Sequence, residues 1–298
     1  MDINPVLDRL GLSGNARVVV FHADDIGMCQ STVTAYADLL AYGMLPAAAV
    51  MVPCPWFPAM GALARVQAGH ARLDLGVHLT HTSEWQAYRW RPISIVDPAS
   101  GLLDEEGYFH RLAAPFQQSA ETEAVTQEMR AQVERALAAG IDITHIDSHM
   151  LALFHPRFLP AYLELANAYQ VPALMFRAAA AEALASRYRI GAGFVDFVAS
   201  LEDRGFPLFD HLHVMSLAEP EGRLEAAVRA LEELPPGLSY FVIHPAEDTP
   251  ELRAIAPDWR CRVADLALFS NPAWQKAVAA AGVHVVGFRV IRDLMRNA

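Results

Sequence analysis

Eight short runs of aliphatic and β-branched residues punctuate this chain, at 17–23, 47–52, 75–80, 143–147, 173–176, 212–215, 240–243 and 283–288. Between them lie longer stretches with helical character, among them 31–42, 122–139, 156–169, 178–186, 222–233 and 272–281. Several of these open on Ser, Pro or Asn and close near Gly, as helix starts and stops do. The short runs are largely apolar rather than strictly alternating. A strand of that kind is covered on both faces, which is the condition of a parallel sheet with crossover helices. About eight such units predict an α/β chain folded as an irregular (β/α) TIM-like barrel, a fold that commonly reaches this length as one domain. A single barrel domain over residues 1–298 is therefore expected. The competing architecture, an open doubly wound sheet, carries a glycine-rich turn after its first strand. Here that position reads Ala23-Asp24-Asp25-Ile26-Gly27-Met28, with one glycine.

Composition narrows the function classes. A net charge of −11 opposes a nucleic-acid partner or an anionic membrane surface. The three cysteines, Cys29, Cys54 and Cys261, are odd in number and lack CxxC spacing, which argues against a disulfide framework or a cysteine zinc site. The uncharged stretch 39–64 is interrupted by Pro46, Pro53, Pro55 and Pro58, so a spanning helix is not expected there. The start, Met1-Asp2-Ile3-Asn4-Pro5, lacks the basic residues and apolar run of a signal peptide. A cytoplasmic protein without a membrane partner is the expectation.

In a barrel, reacting groups gather at the carboxyl ends of the strands. Those ends carry Asp24-Asp25, His78 and His81, His145-Ile146-Asp147-Ser148-His149, Arg177, His244 and Arg289. Taken singly, a histidine after a strand is a structural residue and an aspartate is a cap. Their coincidence at one end of several strands points to a common pocket. Two imidazoles and a carboxylate make a divalent-metal site with open positions, and Asp25, His78 and His149 are the expected ligands. Zinc suits this donor set first. Magnesium, which prefers oxygen ligands, or another divalent ion follows. A cation there also explains two adjacent aspartates, because it offsets their repulsion and keeps both ionised.

The segments H-A-D-D-I-G, L-G-V-H-L-T, T-H-I-D-S-H and I-H-P occur here in the order and spacing of a known family's signatures. The chain resembles the YdjC-like carbohydrate deacetylases, of the chitooligosaccharide and hopanoid-linked kind, from about residue 18 to 288. The resemblance implies a (β/α) barrel related to the NodB-type polysaccharide deacetylases. It implies a divalent metal held by Asp25, His78 and His149, with Asp24 as the base. It also matches His244 to the family's late histidine and Arg177 to its pocket arginine. The chain departs from the pattern after the third segment. Better-known members continue with further histidines, whereas this chain reads Met150-Leu151-Ala152-Leu153-Phe154.

The reaction expected on this basis is hydrolysis of an N-acetyl group from a sugar or oligosaccharide. The metal would acidify a water and polarise the carbonyl, Asp24 would take the proton, Arg177 or a backbone amide would stabilise the oxyanion, and His244 would protonate the departing amine. Asp147 is expected either to orient a histidine ligand or to cap a turn. Two other readings stay open: a metal-dependent amidase acting on a non-sugar acyl amide, and a sugar-binding barrel that has lost its chemistry. The irregular stretch 82–120 holds Trp85, Tyr88, Trp90, Tyr108 and Phe109, which could stack on a sugar or pack the loop down. A second irregular stretch from Glu247 to Cys261, with Arg262 just beyond, could close the pocket, form a homodimer contact or be a solvated face. His22, His81, His145 and His213 are read as buried structural histidines, and Cys29 as no nucleophile.

Overall fold

The computed structural model describes residues 3–297 other than positions 46, 68, 70–72, 189 and 192. Pro46 and the outermost residues of the expected domain thus lie outside the described residues. Seven strands are found among those described: β1 (Arg17–Ile26), β2 (Ala47–Val50), β3 (Leu75–Leu79), β4 (Ile143–Ser148), β5 (His211–Val214), β6 (Gly237–Ile243) and β7 (His284–Val285). Thirteen α-helices accompany them. All pairings are parallel, in the order β4-β3-β2-β1-β6-β5, with β7 beside β1.

The apolar run Val18-Val19-Val20-Phe21 is fully buried, as a strand covered on both faces must be. It pairs residue for residue with β6 from Arg17↔Gly237 to Ala23↔Ile243. Outside the barrel, Phe21 meets Phe241, Phe269 and Trp274 at centroid separations of 5.4–5.6 Å, in edge-to-face contacts. Such pairs add about 0.5–1.5 kcal/mol each beyond their buried area.

Two expected strands differ. Residues 173–176 form only single bridges, Ala173 to Ile146 of β4 and Phe176 to Phe209 just before β5. Pro172 has no N–H to donate, so the ladder cannot extend upstream. This short bridged segment nevertheless joins the two edges of the sheet and closes the barrel. The last strand is cut to two residues because Gly287 starts a helix, Phe288–Arg296, whose Arg289 N–H donates to Asp74 Oδ2 at 2.7 Å. β7 pairs with Val18 and Val19, on the edge of β1 that β2 occupies from His22 onward. The barrel is irregular at that point.

The segment 82–120 is not loose. Glu128, buried in the helix Thr122–Ala138, accepts from the Ile93 and Ser94 N–H groups and from the Ser94 hydroxyl. The Arg89 guanidinium donates to Asp104 and to the Phe109 carbonyl, both at 2.6 Å. These anchors fold the segment over the carboxyl end of β3. The stretch after β6 likewise holds two helices, Pro250–Ile255 and Trp259–Phe269. No helix among the described residues is long and apolar enough to cross a membrane.

Candidate metal centre and active site

In a regular strand, successive side chains point to opposite faces. Asp24 and Asp25 escape that rule. The register between β1 and β2 runs Ala23↔Ala48, then Ile26↔Val50, so β1 carries one extra residue there. Asp25 adopts φ 62°, a left-handed conformation that aspartate tolerates better than most residues. The bulge at this point lets both carboxylates address one site, as bulges beside active sites commonly do.

Asp25 Oδ1 lies 3.4 Å from His78 Nε2 and 3.2 Å from His149 Nδ1, and those two nitrogens are 3.2 Å apart. All three residues are buried. Their remaining atoms are tied down. The Arg262 guanidinium donates to Asp25 Oδ2 at 2.8 Å, and His78 Nδ1 meets Asp147 Oδ1 at 2.8 Å. His149 Nε2 meets Glu84 Oε2 at 3.0 Å. A carboxylate on the far nitrogen of a ligating histidine fixes which nitrogen faces the metal.

Burial alone would raise the Asp25 pKa, but Arg262 and then His149 hold its carboxyl well below the ordinary range. Burial would lower both histidines. Asp147 and Asp24 instead raise His78 well above its ordinary value, and Glu84 and Asp25 raise His149 to about 9.

Three groups of histidine and acidic side chains among the described residues bring a donor atom each within 4.8 Å of one another: Asp25-His78-His149, Asp24-His78-Asp147 and His22-His145-Asp147. The first fits a divalent ion best. Asp25 Oδ1 is buried and has no hydrogen-bond partner, a costly state unless something else satisfies it. In the third group, the histidine nitrogens already bond to one another and to neighbours.

These residues floor a cavity of about 670 Å³. Asp24, Asp25, His78, His149 and His244, five of the six expected site residues, line it together. Asp24 Oδ2 is 3.9 Å from His78 Nε2 and 3.9 Å from His244 Nε2. The His244 N–H donates to Asp265 Oδ2 at 2.9 Å, and burial lowers the pKa of its ring. Arg177 is placed elsewhere. Its guanidinium engages Glu202 at 3.2 Å and Asp210 at 3.4 Å, and it does not line the cavity. The arginine that does so is Arg262, with Asp258 beside it at 3.0 Å.

Of the aromatic residues in 82–120, Trp85 lines the cavity beneath Arg262. Trp90 and Phe109 are buried, Tyr88 donates to the Met28 carbonyl at 2.7 Å, and Tyr108 lies under Arg89. The opposite wall is apolar, with Leu174, Phe176, Leu212 and Val242. After His149, Met150 and Leu151 both hold φ 52°, an uncommon conformation for bulky residues that accompanies the turn away from the site.

Sequence reasoning missed Glu84 and Tyr240, and named Arg262 only beside a stretch that could close the pocket. Tyr240 sits inside an apolar strand, where period two places it on the same face as Val242; that was the available signal. Glu84 and Arg262 lie on segments whose path only the fold reveals.

The family model described as YdjC-like protein matches residues 18–280. A Thermus thermophilus protein named carbohydrate deacetylase is 35% identical over 97% of this chain and 99% of its own length. A Geobacillus stearothermophilus protein of the same name is 26% identical over 92% of this chain and 97% of its own. Among solved structures, an Enterococcus faecalis protein described as a cellobiose-phosphate cleavage protein aligns with a TM-score of 0.76 at 21% identity. That alignment covers 93% of this chain and 99% of the other, and it bears on the fold alone.

Proposed function

The chain belongs to the YdjC-like protein family, and from that membership and the cavity's geometry we propose that it is a metal-dependent N-deacetylase of a sugar or glycan-like substrate. The observation that carries this reading is the convergence of Asp25 Oδ1, His78 Nε2 and His149 Nδ1 within 3.4 Å of one another, with a second carboxylate, Asp24, facing them.

Asp25, His78 and His149 would hold the cation, and zinc suits two imidazoles and a carboxylate. When bound, such an ion supplies Lewis acidity, making a water acidic and an acetyl carbonyl electrophilic. Asp24 accepts the proton of the attacking water through Oδ2. Arg262 stays on Asp25 and offsets the negative charge that gathers at the cavity floor. Asp24 passes that proton to His244 across the 3.9 Å between Oδ2 and Nε2, and His244 gives it to the departing amine, so both return to their starting states.

A single domain over the chain is supported by one contiguous hydrophobic core among the described residues. A cytoplasmic location is supported by three free, buried cysteines. The apolar wall favours, as a second reading, a non-sugar acyl amide as the substrate. Free amine released from a panel of N-acetylated sugars and other acyl amides, before and after chelation, separates the two. Release from an N-acetylated sugar that is abolished by chelator and restored by zinc supports the deacetylase. Release only from the other amides transfers the assignment to the second reading.

A further inference from the structure

Below the cavity floor runs a polar chain that the proposed reaction does not use. Asp24 Oδ1 is 2.7 Å from His22 Nδ1, and His22 Nε2 is 2.8 Å from His145 Nε2. His145 Nδ1 is 3.0 Å from Thr144 Oγ1. The Thr144 hydroxyl donates to Asp74 Oδ1, and Asp74 Oδ2 accepts the Arg289 N–H at 2.7 Å. His22, His145, Thr144 and Asp74 are all buried, and none lines the cavity. Burying so many polar groups in a barrel interior costs stability unless each is satisfied.

The surroundings are built around this chain. The Phe288 ring stacks on His145 with centroids 3.7 Å apart and planes at 15°. On the adjacent strand, a Cβ at position 76 would lie 2.4 Å from His145 Nε2, so only Gly76 leaves room for the ring.

Hydrogen-bond direction passes along the chain from its far end. Asp74 accepts from Thr144, so the Thr144 oxygen has only lone pairs to offer His145, and His145 Nδ1 must carry a hydrogen. Burial, with His22 beside it, holds the His145 pKa well below its ordinary value, so the ring has one hydrogen only. Its Nε2 is therefore an acceptor, and His22 Nε2 is the donor. Asp24 Oδ1 is also an acceptor, so His22 Nδ1 carries a hydrogen too, and the ring donates from both nitrogens, to His145 and to Asp24. The Tyr240 hydroxyl, 2.7 Å from the same Nδ1 and 3.3 Å from Asp147, buttresses that orientation.

We propose that Asp74, Thr144, His145 and His22 form a positioning relay for Asp24, which holds Oδ1 of the carboxylate and thereby presents Oδ2 to the reacting centre. The four are positioning residues and touch no substrate. This inference rests on the assignment of Asp24 as the base.

The test is Thr144→Val, which keeps the side chain's shape and removes its hydroxyl at a site remote from the cavity. The expected result is wild-type metal content, unchanged KM and a kcat lower by about 10- to 100-fold, the size that a misplaced reacting group produces. Thr144→Ser should restore kcat, and Thr144→Val should add no further loss in an Asp24→Asn background. A wild-type kcat in Thr144→Val, or an equal fractional loss in both backgrounds, overturns the relay. Imidazole ¹⁵N NMR of the full chain reads the relay without turnover. His145 protonated at Nδ1 and bare at Nε2 supports it, and the opposite tautomer overturns it. A wild-type protein with no deacetylase activity defeats the functional reading, while the tautomer still decides the relay.

Discussion

Asp24 and Asp25 are neighbours in the chain with unlike surroundings. Asp25 has one oxygen on Arg262 and the other turned to two histidines. Asp24 has one oxygen on His22 and the other at the cavity. The first arrangement suits a ligand and the second a base. Asp24→Asn should therefore retain the metal while kcat falls about 10²–10⁴-fold, the usual weight of general base catalysis. Metal analysis and steady-state kinetics on one preparation check this, and full activity in the variant would remove Asp24 from that role. The pair was legible in the sequence, and so were His78, His149 and His244, because each ends or nearly ends an apolar run. Arg177 was assigned by the same rule and lies elsewhere. Its run is not a full strand, and it lies beside Asp210 and Glu202.

At the scale of elements, helix starts and stops were readable to within a few residues. The helices Gln30–Tyr42 and Thr122–Ala138 illustrate this, the first ending at Gly43 with φ 82°. The bulge in β1 was not readable, because it depends on register against β2 rather than on residue type. Nor was the path of 82–120, whose order comes from the buried partners Glu128 and Arg89. Gly76 in β3 could be seen as a strand glycine, but its reason is the His145 ring on the next strand. Gly76→Ala should force that ring or the strand to move and destabilise the fold by about 1–3 kcal/mol, the common cost of overpacking. Urea unfolding measures it, and unchanged stability would mean that the ring yields freely.

For the whole molecule, the carboxyl end of the barrel concentrates buried charge that a cation would balance. In the metal-free protein, His149 is raised from 6.5 to about 9, after Glu84 and Asp25 outweigh its burial. A histidine that binds its proton more tightly when folded stabilises the fold fully below its unfolded pKa of about 6.5, and that contribution is lost as pH rises through about 9. Thermal unfolding of chelated protein should therefore show stability falling across that window, by up to about 3 kcal/mol from this group. His149→Ala should flatten the slope, and stability that rises over the same range would contradict the charge assignment. Saturating zinc should suppress the dependence, since metal takes the place of the protons.

The most direct measurement is metal stoichiometry by elemental analysis of the folded full chain and of Asp25→Ala, His78→Ala and His149→Ala. One tightly held divalent ion per wild-type chain is expected, with loss of that ion in each variant and the fold verified by circular dichroism. A wild-type chain that takes up no divalent ion, or variants that all keep it, would contradict the claim that these three side chains build the reacting centre.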